Sequence, residues 1–354
     1  MTSAFEPVRI AGSLLPNRIA LAPMTRSRAA EGGLATGLVA EYYTQRASAG
    51  LIISEGIQPS AVGQGYPFTP GLHNAEQGAA WREVTDSVHA AGGRIFAQLM
   101  HSGRIGHPSL LPDGLVPVAP SAVAAEGQVF TADGLQDFVT PHELTGAEVR
   151  ATIADFAEAA RHAVEAGFDG VELHGANGYL IHQFLAPGSN LRTDEWGGTA
   201  ENRIRFAVEV VKAVAAAIGA ERTALRVSPG NPYNGISEPD PRPVYEALVK
   251  EIDGLGPAYL HVMEYGPEAR ETTLALRKQF SGPLVLNPAT DGPTDHRALT
   301  LIEDGTADLL AFGALFLANP DLPERLRAQG PYNTPDPATF FGGDARGYTD
   351  YPAL

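Results

Sequence analysis

The 354-residue chain contains no cysteine. That absence excludes disulfides, a thiolate nucleophile, zinc-thiolate sites and cysteine-ligated iron–sulfur clusters together. Positive charge is also scarce: 25 Lys and Arg face 41 Asp and Glu, a formal net charge of −16. Such a field repels a polyphosphate backbone, so broad nucleic-acid binding is excluded while one local phosphate site is not. Nowhere do eighteen uncharged apolar residues occur in a row, so no membrane-spanning helix is expected. The N-terminal stretch carries Glu6 and Arg9 and lacks the apolar run of a signal peptide, which makes a cytoplasmic location the expectation. Hydrophobic and charged contents of 44% and 19% are those of a chain with a packed core.

What is present is alternation. Eight short β-rich runs read as strands: 18–24, 51–54, 94–100, 170–174, 224–228, 258–263, 283–287 and 308–312. Helical-period segments lie between them, at 76–91, 148–166, 200–218 and 242–253 among others. From 153 to 166, residues Ile153, Phe156, Ala157, Ala160 and Val164 share one helical face. Gly92, Gly167 and Gly305 each stand where a helix gives way to the next strand, as left-handed C-caps do. Eight strand-then-helix units predict a single (β/α)8 TIM barrel over residues 1–354. A doubly wound sheet is the rival, but eight units exceed its usual count and no G-x-G-x-x-G follows the first strand. Residues 102–145 break the pattern with five prolines and form a capping insertion after the third strand. Within it, 128–131 and 138–140 are expected to pair as a hairpin. The tail from Gly330 has no helical period.

Barrel enzymes place their chemistry at the C-terminal ends of the strands. Those ends supply Pro23, Met24 and Thr25, then Glu55 and Gly56, then Gln98 and His101. The fourth strand supplies His174, Asn177 and Tyr179, the fifth Arg226, and the eighth Gly313 and Ala314. His174 and Asn177 can both donate hydrogen bonds to one oxygen, which stabilises a developing enolate. The Tyr179 phenol, protonated at neutral pH, can deliver a proton to carbon. The plainer alternative is that His174 and Asn177 satisfy loop backbone and Tyr179 is core. No metal-ligand spacing appears among the ten histidines. Glycosidase chemistry would need two facing carboxylates, with Glu55 and Glu172 the available pair, although Glu172 alternates as a barrel-interior residue would.

The segment HGANGYLIHQFLAPGSNLRTDEWGGTAENRIRF (His174–Phe206) resembles the Old Yellow Enzyme family of FMN-dependent ene-reductases. So do LPNRIALAPMTRSRA (Leu15–Ala29), ADLLAFGALFLANPDLPERL (Ala307–Leu326), TFFGG (Thr339–Gly343) and GYTDYP (Gly347–Pro352). The resemblance spans nearly the whole chain and implies a barrel fold with FMN as cofactor and NADPH or NADH as reductant. It implies that Pro23, Met24 and Thr25 meet the flavin ring, with Thr25 on the C4 carbonyl oxygen and Gly56 beside that edge. Gln98 and Arg226 would bind the pyrimidine side, and the Gly313 and Ala314 backbone the phosphate. His174 and Asn177 would hold the substrate's carbonyl oxygen and Tyr179 would donate the proton. The implied reaction passes hydride from the nicotinamide to flavin N5 and then to the β-carbon of an α,β-unsaturated carbonyl or nitro compound. The partner is thus a small-molecule enone or nitroalkene, with neither nucleic acid nor membrane involved; the sequence leaves room for a homodimer.

Four positions depart from the family pattern. Ala314 replaces an arginine that grips the phosphate, and Asn287-Pro288-Ala289-Thr290 replaces a glycine-rich phosphate turn; Arg297 is the alternative cation. Met100 stands in place of Trp, and Phe341 in place of a pocket Tyr. Tyr66 keeps the family's aromatic pocket wall.

Overall fold

The computed structural model describes residues 3–354. Eight parallel strands close into a barrel: β1 (Ile19–Leu21), β2 (Leu51–Ile57), β3 (Ile95–Leu99), β4 (Gly170–Gly175), β5 (Thr223–Val227), β6 (Leu260–Met263), β7 (Leu284–Asn287) and β8 (Leu309–Phe312). Each strand pairs with its sequence neighbour and β8 pairs with β1, so no edge remains open. The helices are α1 (Gly37–Thr44), α2 (Ala75–Ala90), α3 (Gly146–Glu165), α4 (Leu180–Leu185), α5 (Ala200–Ile218), α6 (Arg242–Asp253), α7 (Ala269–Gln279), α8 (Thr300–Glu303), α9 (Ala314–Ala318) and α10 (Leu322–Ala328). The expected (β/α)8 barrel is therefore the observed one. All eight strands fall where the apolar runs were read, trimmed or extended by a few residues, and α5 and α6 match their expected bounds.

Side chains alternate across the strands with period two, and two cores result. Ile52, Leu99, Val171, Leu173, Leu225, Leu260 and Leu310 face outward and pack beneath the helices. Ala20, Leu51, Ile53, Phe96, Ala224, Val285 and Leu309 fill the barrel interior. The same alternation puts Gln98, Glu172, His174, Arg226 and His261 on the interior side, toward the C-terminal ends. A polar layer thus sits above the apolar plug.

Local signals fix the helix ends. α3 begins with a reciprocal capping box between Thr145 and Glu148, and α2 and α5 are capped by Asn74 and Thr199. Gly92, Gly167 and Gly305 adopt φ of 84°, 94° and 81°, the left-handed turn expected of them.

Two hairpins and the tail were less legible. An antiparallel pair, Val8–Ile10 with Ser13–Leu15, packs Ile10 and Leu15 into the interior core; no strand was expected there. Its turn holds Ala11 and Gly12 at φ of 52° and 73°, the tight form that matches strand twist. In the capping insertion, Gln128–Thr131 does form a strand, but its partner is Gly134–Asp137 rather than 138–140. Thr131 accepts from the Asp133 N–H and donates to the Gly134 carbonyl, which tightens the turn to Ala132–Asp133 and moves the register forward. Parallel pairing of Val118–Ala119 with His142–Glu143 closes the base of the insertion.

The tail is anchored by arginines of the first loop. Arg26 donates to the carbonyls of Phe340 (2.9 Å) and Gly347 (3.0 Å), and Arg28 to that of Asp344 (3.0 Å). Tyr348 stacks on Tyr42 at 4.2 Å, with the Arg26 and Arg28 guanidinium groups against its ring. This clamp carries Phe340, Phe341 and Gly342 to the barrel mouth.

Candidate active site

A cavity of about 760 Å³ opens at the C-terminal mouth. Pro23, Met24 and Thr25 line it from the β1 end, Gln98 and Met100 from β3, His174, Asn177 and Tyr179 from β4, Arg226 from β5 and Ala314 from β8. Tyr66 and Phe341 complete the wall. Twelve of the fourteen residues that the family resemblance places at the site are thus brought together, while the strand-end candidate His101 is buried away from the lining. Gly56 and Gly313 are not on the lining surface. A Cβ at position 56 would lie 2.7 Å from Met100 Sδ, so Gly56 serves to seat Met100, and it is Met100 that meets the cavity. Gly313 packs near Met24, where a Cβ would lie 3.7 Å from its sulfur.

Glu172 anchors the polar layer. It is fully buried, accepts from Gln98 Nε2 at 2.8 Å and lies 2.8 Å from His261 Nδ1. Burial alone would raise its carboxyl, but His261, Arg226 and Gln98 outweigh that and hold it below its ordinary value. Burial lowers His261, so the neutral ring donates Nδ1–H to the carboxylate. Glu55 lies elsewhere: it accepts the Arg26 backbone N–H at 3.1 Å and does not line the cavity. The two carboxylates of the glycosidase reading therefore never face each other.

Arg226 is buried; its Nη2 donates to Asn287 Oδ1 at 3.1 Å, while its Nε has no partner among the described residues. The side chain also lines the cavity, which places its cationic group against whatever enters there. Gln98, with its amide N–H₂ committed to Glu172, keeps Oε1 as an acceptor. One cationic donor and one acceptor on the two strands that flank β4 fit the pyrimidine edge of a flavin.

His174 Nδ1 accepts the Ala176 N–H at 3.3 Å, which requires the proton on Nε2. Burial, reinforced by Arg226 and His261, pushes its pKa well below the usual histidine value, so it is a neutral donor. The plainer reading of His174 is thus half right: one nitrogen satisfies the loop and the other is free. Asn177 adopts φ of 56° and is held by three groups of the loop after β5. Ser228 Oγ accepts its N–H at 2.9 Å, Asn234 Nδ2 donates to its carbonyl at 2.7 Å, and Asn231 Nδ2 donates to its Oδ1 at 2.9 Å. Gly178 N–H donates to His182 Nδ1, and His182 Nε2 lies 3.1 Å from Glu238. Tyr179, at the start of α4, points its ring edge toward His174 with centroids 5.0 Å apart. Burial raises its pKa above the ordinary phenol value.

Sequence reading missed this β5 loop, SPGNPYNGISE (Ser228–Glu238). Its position directly after a barrel strand, with two prolines and two asparagines in close order, was the available signal. It also missed most of the rim, where Phe68, Phe130 and Tyr233 join the expected Phe341 and are half to two-thirds exposed.

Where the resemblance expects the phosphate, Ala314 lines the cavity with no charged side chain of its own. Arg297 is tied to Asp295 at 2.9 Å and largely exposed, and Ala289 N–H is committed to Glu264, which Arg270 pairs at 2.7 Å. Among the described residues, no three His, Asp or Glu gather as a metal site requires, and no helix is long and apolar enough to cross a membrane.

Residues 3–333 match the NADH:flavin oxidoreductase / NADH oxidase family. A probable flavin mononucleotide-dependent alkene reductase of Leishmania infantum is 41% identical, over 99% of this chain and 97% of its own. Rice (Oryza sativa subsp. japonica) 12-oxophytodienoate reductase 7 is 40% identical over 99% and 94%. Morphinone reductase, solved in complex with tetrahydroNAD, superposes with a TM-score of 0.94 at 45% identity, covering 100% of this chain and 98% of the other. The family match and these relatives define a (β/α)8-barrel FMN-dependent oxidoreductase. The chain belongs to the NADH:flavin oxidoreductase / NADH oxidase family as an Old Yellow Enzyme-type ene-reductase, with FMN as cofactor and a reduced nicotinamide as its electron source.

Proposed function

We propose that the protein reduces the activated C=C bond of α,β-unsaturated carbonyl or nitro compounds, with Tyr179 as proton donor and His174 and Asn177 as the oxyanion donors. FMN, when bound, supplies the hydride that reaches the β-carbon. The observation that carries the reading is the pair of free donors: with His174 Nδ1 and Asn177 Oδ1 both occupied within the chain, His174 Nε2–H and Asn177 Nδ2–H are left for a ligand. Both are neutral, so they bind the negative charge that develops on the substrate oxygen more strongly than the charge present before reaction. Tyr179 holds its proton through the neutral range and gives it to the α-carbon. Gln98 and Arg226 hold the pyrimidine edge of the cofactor, and Thr25 its C4 carbonyl oxygen. The aromatic rim favours substrates with an apolar body beyond the reacting double bond. Stopped-flow separation of the two half-reactions tests the assignment: His174→Ala should slow alkene reduction by about 10²–10³-fold, the cost of one oxyanion donor. No loss in that half-reaction would refute it.

A further inference from the structure

We propose that Asn231 is a positioning residue whose side chain fixes the amide of Asn177 with its N–H₂ toward the cavity; the proposal rests on the reading of Asn177 as an oxyanion donor. An asparagine amide has two nearly isosteric orientations, and only its partners distinguish them. Turned the wrong way, Asn177 would present a carbonyl oxygen to a substrate oxygen that gains negative charge, and the site would repel what it has to stabilise. Backbone contacts do not prevent this. Ser228 and Asn234 clamp the N–H and C=O of Asn177 but leave its side chain free to flip.

Asn231 removes that freedom. It is completely buried, and its own orientation is settled by a group that can only donate: the Tyr233 backbone N–H reaches its Oδ1 at 3.0 Å. Its Nδ2 must therefore point the other way, where it donates to Asn177 Oδ1 at 2.9 Å, with Met263 Sδ 3.6 Å distant. A flipped Asn177 would set two N–H₂ groups against each other in a buried place. Information thus passes from a main-chain N–H of the β5 loop, through one amide, to the donor on the β4 loop. Asn231 touches neither substrate nor cofactor in this scheme, since it is absent from the cavity lining.

Asn231→Asp is the informative substitution. A carboxylate still accepts from Tyr233 N–H but cannot donate, so it accepts from Asn177 Nδ2 and draws the N–H₂ out of the cavity. The readout is the dissociation constant of p-nitrophenolate for the oxidised, FMN-loaded enzyme, followed by the flavin absorbance change at about pH 8, where a carboxylate is ionised. Asn231→Asp should weaken binding by about tenfold or more, and Asn231→Leu, which imposes no orientation, by less. In an Asn177→Ala background, Asn231→Asp should change the constant by less than about twofold, because residues acting as one unit are not additive. Equal losses in both backgrounds, or an unchanged constant for Asn231→Asp while Asn177→Ala weakens binding, would overturn the positioning role. If Asn177→Ala itself left phenolate binding intact, the oxyanion assignment would fall first and the proposal with it. Should Asn231→Asp not retain FMN, the ratio for Asn231→Leu with and without Asn177 decides the matter by the same criterion.

Discussion

The hydroxyls of Tyr66 and Tyr179 lie 3.0 Å apart, one on the loop after β2 and the other opening α4. Either can donate to the other, and burial raises both above the ordinary phenol pKa. The pair thus holds protons at neutral pH and gives Tyr179 a neighbour from which its proton can be restored.

Tyr179→Phe should slow alkene reduction by about 10²-fold or more, within the usual range for a lost general acid, while reduction of the flavin by the nicotinamide stays near its original rate. Tyr66→Phe should have a smaller effect on the same step. Stopped-flow absorbance of each half-reaction checks both, and equal slowing of the two halves by Tyr179→Phe would count against the proton-donor role.

Arg226→Ala should weaken FMN binding by about tenfold to a hundredfold. It removes a charge-assisted donor worth about 1.5–3 kcal/mol and leaves Asn287 Oδ1 without its partner. Fluorescence titration of the apoprotein with FMN measures this.

Ala314→Arg should act in the opposite direction. Position 314 faces the cavity, and the alternative donors weighed from the sequence, Arg297 and the Ala289 N–H, already have partners in Asp295 and Glu264. A new guanidinium there should tighten FMN binding by about tenfold at low salt. An unchanged constant in a folded variant would mean that the phosphate is already compensated.

Tyr348→Ala should destabilise the fold by about 3–5 kcal/mol, as loss of a buried aromatic does. It also frees the tail segment that carries Phe341 to the cavity. Urea unfolding gives the first effect. The second should appear as a raised KM for bulky substrates.

Glu55 makes stability depend on pH. Burial, larger than the opposing effect of the Arg26 N–H and guanidinium, pushes its carboxyl up to about 7 from an ordinary value near 4.5. The folded state then holds a proton that the unfolded state has released, so stability falls as pH rises from about 4.5 through about 7. The contribution is on the order of 3 kcal/mol. Glu55→Gln should flatten that slope in unfolding curves taken at pH 5 to 8.

By itself, the sequence determined the barrel and the cavity residues that stand at its strand ends. Both follow from local rules. Period-two alternation in runs such as Gly170–His174 fixes which side chains face inward, and strand ends fix which of those reach the mouth. Glu172 was legible as an interior residue for the same reason. What only the tertiary structure decided are relations between segments distant in the chain. Glu55 and Glu172 look alike as strand-end carboxylates, yet one turns to Arg26 and the other joins Gln98 and His261. Gly56 is withdrawn from the cavity because Met100, 44 positions later, occupies the space above it. Asn231 lies 54 residues from the Asn177 amide that it orients, and the Arg26–Phe340 bond spans 314 residues. A hydrogen bond leaves its mark at both ends of the sequence, but its two ends are joined only when the chain packs.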